Sequence, residues 1–205
     1  MARLFNRNFI VGVTGSIAAY KAAELTRSLI REGANVRVIM TEGACEFITP
    51  LTLQALSGHE VHTDLLDTEA EAAMGHIELA RWADALLIAP ASADSIARLV
   101  QGRADDLLGA CALATPAPVF VAPAMNQEMW AKQATQDNVQ TLVSRGIAML
   151  GPSSGSQACG DVGAGRLLEP DDIVSAVAEH LSTGALSGRH VVITAGPTRE
   201  PICPV

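Results

Sequence analysis

The chain has 205 residues, of which 49% are hydrophobic and 3% aromatic, and its formal net charge at pH 7 is −8. The length suits one domain with a full core, and the aliphatic composition is typical of parallel strands between layers of helices. The negative charge argues against nucleic acid as a partner, and no apolar run approaches the ~20 residues that a membrane-spanning helix needs.

Strands and helices alternate along the sequence. In chain order we predict a strand at 9–13, a helix at 17–33, a strand at 35–40, a helix at 50–57, a strand at 85–89, helices at 92–102 and 105–114, a strand at 119–123, a helix at 135–145, a strand at 147–152 and a helix at 170–182. This order predicts an α/β fold with a doubly wound, mostly parallel sheet and helices on both faces, of the Rossmann-like or flavodoxin-like type.

The C-terminal residues depart from this pattern. The stretch TGALSG, within 183–189, is predicted to be a linker, and HVVITAGPTREP, within 190–205, opens a new strand and turn. We therefore expect one domain over residues 1–182, a linker over 183–189 and the truncated start of a second domain over 190–205.

The four cysteines are widely spaced and form no CxxC pair, which argues against a zinc site or a disulfide framework. The N-terminal apolar run is too short for the core of a signal peptide. We therefore expect a cytoplasmic protein with reduced thiols and no bound metal.

Three predicted strands end in turns rich in small and polar residues: GVTGSIAA, MTEG and APASADS. The carboxyl ends of parallel strands form the ligand-binding edge of such a sheet. The hydroxyl groups of Ser16, Thr41, Ser92 and Ser95 and the backbone amides at helix starts suit one compact phosphate beside a ring system. That favours a mononucleotide such as FMN. Because Ser and Thr are also common N-caps, helix capping alone is the alternative.

The first of these turns resembles a dinucleotide-binding fingerprint but differs from it in spacing. Gly12 and Gly15 are present, whereas the GxGxxG spacing is not. Thr41 stands where a ribose-binding acid is expected, although the adjacent Glu42 keeps a dinucleotide open as an alternative.

Three residues carry candidate chemistry. His76 precedes the third predicted strand and is either a base at the edge of the sheet or a structural histidine that caps a helix or packs in the core. Asn126 follows the fourth strand and is either a helix N-cap or an amide that binds a carboxylate, while Met125, Met129 and Trp130 nearby are expected to pack. Cys159 lies in GSQACGDVGAGR, where glycines allow close approach to a ligand at a cost in entropy.

Five motifs in chain order, GSIAAYK, GHIELARWAD, APASAD, PAMNQEMW and GSQACGDVGAGR, closely resemble those of the flavin-dependent cysteine decarboxylases. The resemblance covers about residues 10–181, and the combination of PxMNxxM with ACGDxGxGR is its most specific part. It implies decarboxylation of 4′-phosphopantothenoylcysteine to 4′-phosphopantetheine, a step of coenzyme A biosynthesis, with FMN as the cofactor. The flavin oxidises the CH2–SH group to a thioaldehyde, which accepts the electron pair left by CO2, and then returns the hydride to the enethiolate.

The resemblance also implies roles for individual residues. His76 is the base that assists thiol oxidation, Asn126 binds the departing carboxylate, and Cys159 protonates the enethiolate from a flap hinged by glycines. The residues implied to bind FMN are Gly15, Ser16, Ile17, Thr41, Ser92, Ala93, Asp94, Ser95 and Ala124. Those implied to bind the substrate are Met125, Asn126, Ala158 and Gly160.

Members of this family build the flavin site between subunits, which implies a homo-oligomer, either a trimer or a dodecamer. The tail ITAGPTREP resembles the first strand of the synthetase domain that follows the decarboxylase in many bacteria, but Cys203 stands at the position of that family's Asp. Two alternatives of the same fold are a flavin prenyltransferase and a flavin-binding regulatory subunit of the phosphatase-inhibitor type. The first does not need Asn126 or the cysteine flap, and the second can lack the cysteine.

Overall fold

The computed structural model describes residues 2–65, 75–182 and Gly196. The predicted linker at 183–189 and the predicted start of a second domain at 190–205 lie outside these residues, apart from Gly196. The main sheet has six parallel strands in the order β3-β2-β1-β4-β5-β6, which confirms the predicted doubly wound fold. The strands are β1 Asn8–Val13, β2 Asn35–Met40, β3 Val61–His62, β4 Ala85–Ala91, β5 Val119–Pro123 and β6 Ala148–Met149.

Helices cover both faces of this sheet. A 3-10 turn, Ile17–Tyr20, leads into the first α-helix. The α-helices are α1 Lys21–Arg31, α2 Glu42–Cys45, α3 Pro50–Ser57, α4 His76–Trp82, α5 Ala93–Gln101, α6 Leu107–Ala114, α7 Gln127–Ala131, α8 Gln133–Ser144 and α9 Pro170–Leu181. In the part of the chain that the structure describes, no helix has the length and apolarity to cross a membrane.

The central strand β1 contributes to two hydrophobic cores, because successive residues of a strand point to opposite faces. Phe9, Val11 and Val13 pack in one core with residues of α1, α3 and α9. Ile10 packs in the other core with residues of α4, α5, α6 and α8. Gly12 faces the second side, where an added Cβ would lie 2.5 Å from Cδ1 of Leu108. The glycine therefore lets α6 pack closely against the sheet.

Strand β1 lies between β2 and β4, so the order of the strands reverses there. The chain leaves β1 for β2 on one side and returns to β4 on the other. Connections that diverge in this way leave a crevice at the carboxyl ends of the two strands, which is the usual ligand site of such sheets.

A two-stranded antiparallel hairpin follows β6, with strands β7 Ser153–Ser156 and β8 Val162–Arg166. The sequence predicts a flap hinged by glycines at this place but no strands, whereas the segment forms a regular hairpin. Gly155 pairs with Gly163 across the hairpin, and such pairing uses backbone hydrogen bonds that need no side chain. Cys159 lies in the turn that joins the two strands.

The five strands predicted within residues 1–182 are all present, and most of the elements that the sequence did not predict are short. Strand β3 has two residues and helices α2, α4 and α7 have four, seven and five, so each is too short for a hydrophobic period to be recognised in the sequence. The strand predicted at 147–152 is reduced to Ala148–Met149. The helix predicted from residue 17 begins as the 3-10 turn, and Gly33 follows its end with φ +89°, as the prediction of a closing glycine requires.

Candidate active site

A cavity of about 400 Å³ opens where β1, β4 and β5 end, and the hairpin β7–β8 forms one of its walls. Ten of the residues that the sequence predicts for cofactor, substrate or catalysis line it: Gly15, Ser16, Ile17, Ser92, Ala93, Ala124, Met125, Asn126, Ala158 and Cys159. The crevice at the reversal of strand order therefore contains most of the predicted site.

Ser16 joins the turn after β1 to the turn after β5. Its side chain accepts a hydrogen bond from the backbone N–H of Ala18 at 3.3 Å, which caps the 3-10 turn. The Ser16 hydroxyl also donates to the carbonyl of Ala124 at 3.4 Å. Ser16 therefore caps the 3-10 turn and also lines the cavity.

The turn after β4 is held by a buried hydroxyl. Thr14 donates to the carbonyl of Pro90 at 2.7 Å and accepts from the backbone N–H of Ser92 at 2.9 Å. Ser92 in turn accepts from the backbone N–H of Ser95 at 3.2 Å and caps α5. Ser95 therefore supports Ser92 rather than lining the cavity, and Asp94 forms an ion pair with Arg98 at 2.8 Å on the exposed side of α5.

The floor of the cavity suits a flat ring and a phosphate. It is formed by small residues, including Gly15, Ala93 and Ala124, which leave the space above the strand ends unfilled. An added Cβ on Gly15 would lie 3.2 Å from the carbonyl of Gly43, so the turns after β1 and β2 approach each other closely. The start of α5 presents backbone N–H groups, which bind anions well.

Asn126 lies at the start of α7, directly after β5, and its predicted role as a helix N-cap is confirmed. Its Oδ1 accepts from the backbone N–H of Glu128 at 2.8 Å, so it is the N-cap of α7. That bond fixes the amide so that Nδ2 points towards the hairpin, where it lies 3.4 Å from Sγ of Cys159 and 3.0 Å from Oδ2 of Asp161. Cys159 also donates to Asp161 at 3.3 Å. These three side chains form one exposed polar cluster at the cavity.

Backbone contacts hold the hairpin against α7. Met125 donates from its N–H to the carbonyl of Gly165 at 2.9 Å, and Gln127 donates to Oε1 of Gln157 at 3.1 Å. Gly165 has φ +128°, and an added Cβ there would collide with the carbonyl of Met125. Only glycine combines this conformation with such a close approach. The turn that carries Cys159 is thus placed by the two ends of the hairpin.

A charged wall that the sequence analysis missed completes the cavity. The Lys21 side chain is only 10% exposed, and its Nζ lies 2.9 Å from both carboxylate oxygens of Glu169. Arg166 donates to the same carboxylate at 2.8 Å. The hydrogen bonds from Lys21, with smaller contributions from Arg166, hold the pKa of the Glu169 carboxyl below its usual range. Both basic residues could have been found from the sequence, because Lys21 is the last residue of the motif GSIAAYK and Arg166 is the last residue of GSQACGDVGAGR.

Other lining residues were also missed. Met129, expected to pack, is 47% exposed and lines the cavity. The remaining lining residues outside the predicted set are Ala18, Tyr20, Ser156, Gln157, Gly165 and Leu167. Small and apolar lining residues carry no sequence signal that separates them from packing residues.

Some predicted site residues lie elsewhere in the chain's structure. His76 is the first residue of α4, is half-buried, and does not line this cavity; its backbone carbonyl accepts from the Cys111 thiol at 3.5 Å. Thr41 lines a separate depression with Asp64 and Asp106. Gly160 lies in the hairpin turn with φ +91°, a conformation that glycine adopts more easily than other residues. Among the described residues, no group of three or more His, Cys, Asp or Glu side chains could hold a metal ion.

A family model described as Flavoprotein matches residues 3–182. The chain is 57% identical over 204 residues to the coenzyme A biosynthesis bifunctional protein CoaBC of Haemophilus influenzae, and this alignment covers 99% of the chain and 51% of that protein. The chain thus spans about half the length of the curated relatives it matches.

Two solved structures share the fold. A cysteine-to-serine mutant of PPC decarboxylase, complexed with pantothenoylaminoethenethiol, is 32% identical with a TM-score of 0.77, and the match covers 87% of this chain and 100% of that one. The FMN binding protein AtHal3 is 34% identical with a TM-score of 0.75, covering 88% of this chain and 99% of that one.

Proposed function

The chain belongs to the Flavoprotein family, and on that premise we propose that it binds FMN and decarboxylates 4′-phosphopantothenoylcysteine to 4′-phosphopantetheine in coenzyme A biosynthesis. One observation carries the proposal: Nδ2 of Asn126 and Sγ of Cys159 meet at 3.4 Å beside a cavity whose floor suits a flat ring. The likeness to CoaBC and to PPC decarboxylase supports this choice of substrate.

The residues present fit FMN. Gly15, Ser16 and Ile17 after β1, Ser92 and Ala93 after β4, and Ala124 after β5 would hold it. When bound, FMN supplies reversible two-electron oxidation of the substrate's CH2–SH group, which the protein's side chains cannot perform. Oxidation places a C=S group β to the carboxylate, so that the electron pair left by CO2 has an acceptor.

Asn126 binds the substrate carboxylate through Nδ2. Its carbonyl oxygen is committed to the N–H of Glu128, so the amide presents only N–H donors to the cavity. When the bond between the α-carbon and the carboxylate breaks, CO2 leaves and the electron pair forms an enethiolate. Cys159 then donates its thiol proton to the α-carbon of that species, to which bound FMN would return the two electrons removed from the CH2–SH group. The CH2–SH group therefore has the same oxidation state in the product as in the substrate, and the reaction consumes no external oxidant or reductant.

His76 is proposed to act as the base, in a site completed by a second copy of the chain. His76 does not line the cavity of its own chain, whereas the cavity is open beside Ile17 and Tyr20, which are 60% and 61% exposed. Ile77, next to His76, is also exposed. We propose a homo-oligomer, a trimer or a dodecamer, in which His76 of the partner subunit faces the cavity. Thr41, Asp94, Ser95 and Gly160 remain proposed ligand contacts in that assembly. The proposed location is the cytoplasm, where thiols such as Cys159 stay reduced.

The test is direct. The purified chain is mixed with substrate labelled with ¹³C in the carboxylate, and released ¹³CO2 and 4′-phosphopantetheine are measured by mass spectrometry. Native mass spectrometry of the same sample reports bound FMN and the number of subunits. A sample that is loaded with FMN but releases no CO2 would contradict the proposed activity, and one that takes up no FMN would contradict the cofactor.

A further inference from the structure

We propose that Asp161 takes the place of the substrate carboxylate while the cavity holds none, and that it must leave when substrate binds. The inference rests on the proposed function for the identity of the ligand. Its structural basis is a single carboxylate oxygen, Oδ2 of Asp161, which lies 3.0 Å from Nδ2 of Asn126 and 3.3 Å from Sγ of Cys159. Asp161 thus contacts the two groups that are assigned to the substrate's carboxylate and to its protonation.

The amide of Asn126 has no other donor to offer. Its Oδ1 caps α7 through the N–H of Glu128 at 2.8 Å, which prevents the amide from turning over without loss of the cap. The two Nδ2 hydrogens point to Asp161 and to Cys159. A substrate carboxylate at this amide would lie within hydrogen-bond distance of a second carboxylate, and two like charges at that distance repel each other. The two carboxylates therefore exclude one another.

Asp161 can leave without disturbing the hairpin. It lies in the turn after Gly160, whose φ is +91°, and its side chain is exposed. Apart from the Asn126–Asp161 hydrogen bond itself, the hairpin is held to α7 by contacts of Gly165 and Gln157, which remain when Asp161 turns away. Rotation of the Asp161 side chain is thus compatible with a fixed cavity wall.

The exchange has a chemical consequence. In the described arrangement the Cys159 thiol donates to Asp161, so its hydrogen is directed away from the cavity. Once a substrate carboxylate has displaced Asp161, that hydrogen is free to point to the substrate. The product carries no carboxylate, so its presence does not keep Asp161 away. Asp161 therefore weakens the binding of carboxylated ligands and leaves carboxylate-free ligands unaffected.

The first experiment uses two unreactive ligands that differ only in the carboxylate. They are 4′-phosphopantothenoylserine, in which a hydroxyl replaces the thiol, and its decarboxylated counterpart, 4′-phosphopantothenoylethanolamine. Calorimetry with the FMN-loaded protein gives their dissociation constants for the wild type, Asp161→Asn and Asp161→Ala. We expect both variants to bind the serine compound about tenfold more tightly, since one charge-assisted hydrogen bond no longer has to be broken. Binding of the ethanolamine compound should stay within about twofold of wild type.

Asp172→Asn is the matched control, because it removes one exposed negative charge from α9 outside the cavity. It should leave both dissociation constants unchanged. If Asp161 instead holds Asn126 and Cys159 ready for substrate, its variants will bind the serine compound more weakly or equally well, and the proposal is wrong. Equal changes for both ligands would also overturn it, since they indicate a general effect on the cavity.

A second experiment does not depend on the proposed function. Cys159 is alkylated with iodoacetamide or with iodoacetate, which differ in charge but form the same C–S bond with loss of iodide. The ratio of the two rates cancels any change in the ionised fraction of the thiol, because that fraction affects both reagents equally. Removing the Asp161 carboxylate should raise the rate with iodoacetate relative to iodoacetamide by roughly threefold to tenfold. An unchanged ratio would contradict the proposal even if the protein binds neither phosphopantothenoyl compound.

Discussion

Nδ2 of Asn126 lies 3.4 Å from Sγ of Cys159, although 33 residues separate them in the chain. Asn126 begins α7 after β5, and Cys159 lies in the turn of a hairpin that contributes no strand to the main sheet. The contact exists because the hairpin packs on α7 through Met125 and Gly165. The amide and the thiol can therefore act on adjacent atoms of one small ligand.

Replacing Asn126 by Asp should abolish CO2 release. The new carboxylate would lie beside Asp161, now 3.0 Å from Nδ2, and would repel the substrate's carboxylate. We expect at least a hundredfold loss of kcat/KM with FMN still bound, measured by CO2 release and by the flavin absorbance of the purified protein. The control is Asn138→Asp, which adds the same charge on α8 away from the cavity. Normal substrate affinity in Asn126→Asp would show that Asn126 does not bind the carboxylate.

Replacing Cys159 by Ser should separate CO2 release from protonation. A serine hydroxyl is a much weaker acid than a thiol, so the enethiolate should leave unreduced. In air, where oxygen takes up the two electrons removed from the substrate, we expect an oxidised product two hydrogens lighter than 4′-phosphopantetheine. Mass spectrometry of the small-molecule products detects it.

The control for that variant is Cys45→Ser, on α2 outside the cavity, which should form the ordinary product. Ordinary product at the wild-type rate from Cys159→Ser would make the thiol a bystander. Failure to release any CO2 would place the role of Cys159 earlier in the reaction.

Replacing His76 by Asn should remove activity while FMN remains bound, and the subunit arrangement can be tested with the same variant. If His76 serves the cavity of a partner subunit, His76→Asn and Cys159→Ser each fail to form 4′-phosphopantetheine alone but complement each other when co-expressed. Random assembly restores one intact set of His76, Asn126 and Cys159 at ~1/4 of the sites of a cyclic oligomer. The measurement is product formation by the mixed oligomer against each parent. A mixture no more active than its parents would argue that each chain supplies its own histidine.

Much of the sheet could be predicted because its strands have strong local signals. Strands β1, β2, β4 and β5 are mostly apolar, and β1, β2 and β4 end in turns rich in small and polar residues. The hairpin could not be predicted in this way, because β7 is SSGS and β8 is VGAGR, which have weak strand propensity. Its stability comes from backbone pairing and from packing on α7, neither of which is visible in a local pattern.

Burial should make the thiols of Cys111 and Cys159 differ sharply in reactivity. Desolvation, with a smaller contribution from the negative charge of Asp106, raises the pKa of the Cys111 thiol to about 12. At pH 8 only about one thiolate in ten thousand forms there, so iodoacetamide should modify exposed Cys159 in the native protein and leave Cys111 intact. Peptide mass spectrometry after timed alkylation measures this, and alkylation in urea serves as the control in which both react. Equal native labelling would show that α6 opens readily.

Glu169 should contribute to stability only while it is ionised. Its folded-state pKa lies below the ordinary value of 4.5, chiefly because Lys21 donates hydrogen bonds to the carboxylate. The contribution is therefore full above that ordinary value and is lost as the pH falls through the lower folded-state pKa. Because the Glu169 side chain is 53% exposed, we expect Glu169→Gln to cost no more than about 1 kcal/mol at pH 7.

Urea unfolding of wild type and Glu169→Gln, compared at pH 7 and at about pH 3.5, measures this contribution. The difference between them should shrink at the lower pH. Glu179→Gln, on the same helix but outside the Lys21 network, is the control. A difference that grows on acidification would mean that the ionised carboxylate is not the stabilised form.

The site was predictable where motif and strand end coincide, as for Ser16, Ser92 and Asn126, and it was not where contacts come from distant segments. Lys21 is the first residue of α1 and Glu169 is the N-cap of α9, and the two form an ion pair although they are 148 residues apart in sequence. Side-chain pairs at that separation have no local signature. His76 differs from both groups. It lies in a recognisable motif, yet it does not line the cavity of its own chain.

The position of β1 at the centre of the sheet also affects how the chain acquires its structure during synthesis. β1 emerges first, yet one of its two neighbours, β4, begins at Ala85, opposite Phe9. At a translation rate of ~5–20 residues per second, the ribosome needs roughly 4–15 s to make the intervening segment. During that interval the apolar edge of β1 that later pairs with β4 is open to other strands. The nascent chain is thus most prone to aggregate before β4 leaves the ribosome, and chaperone binding in this window would matter most.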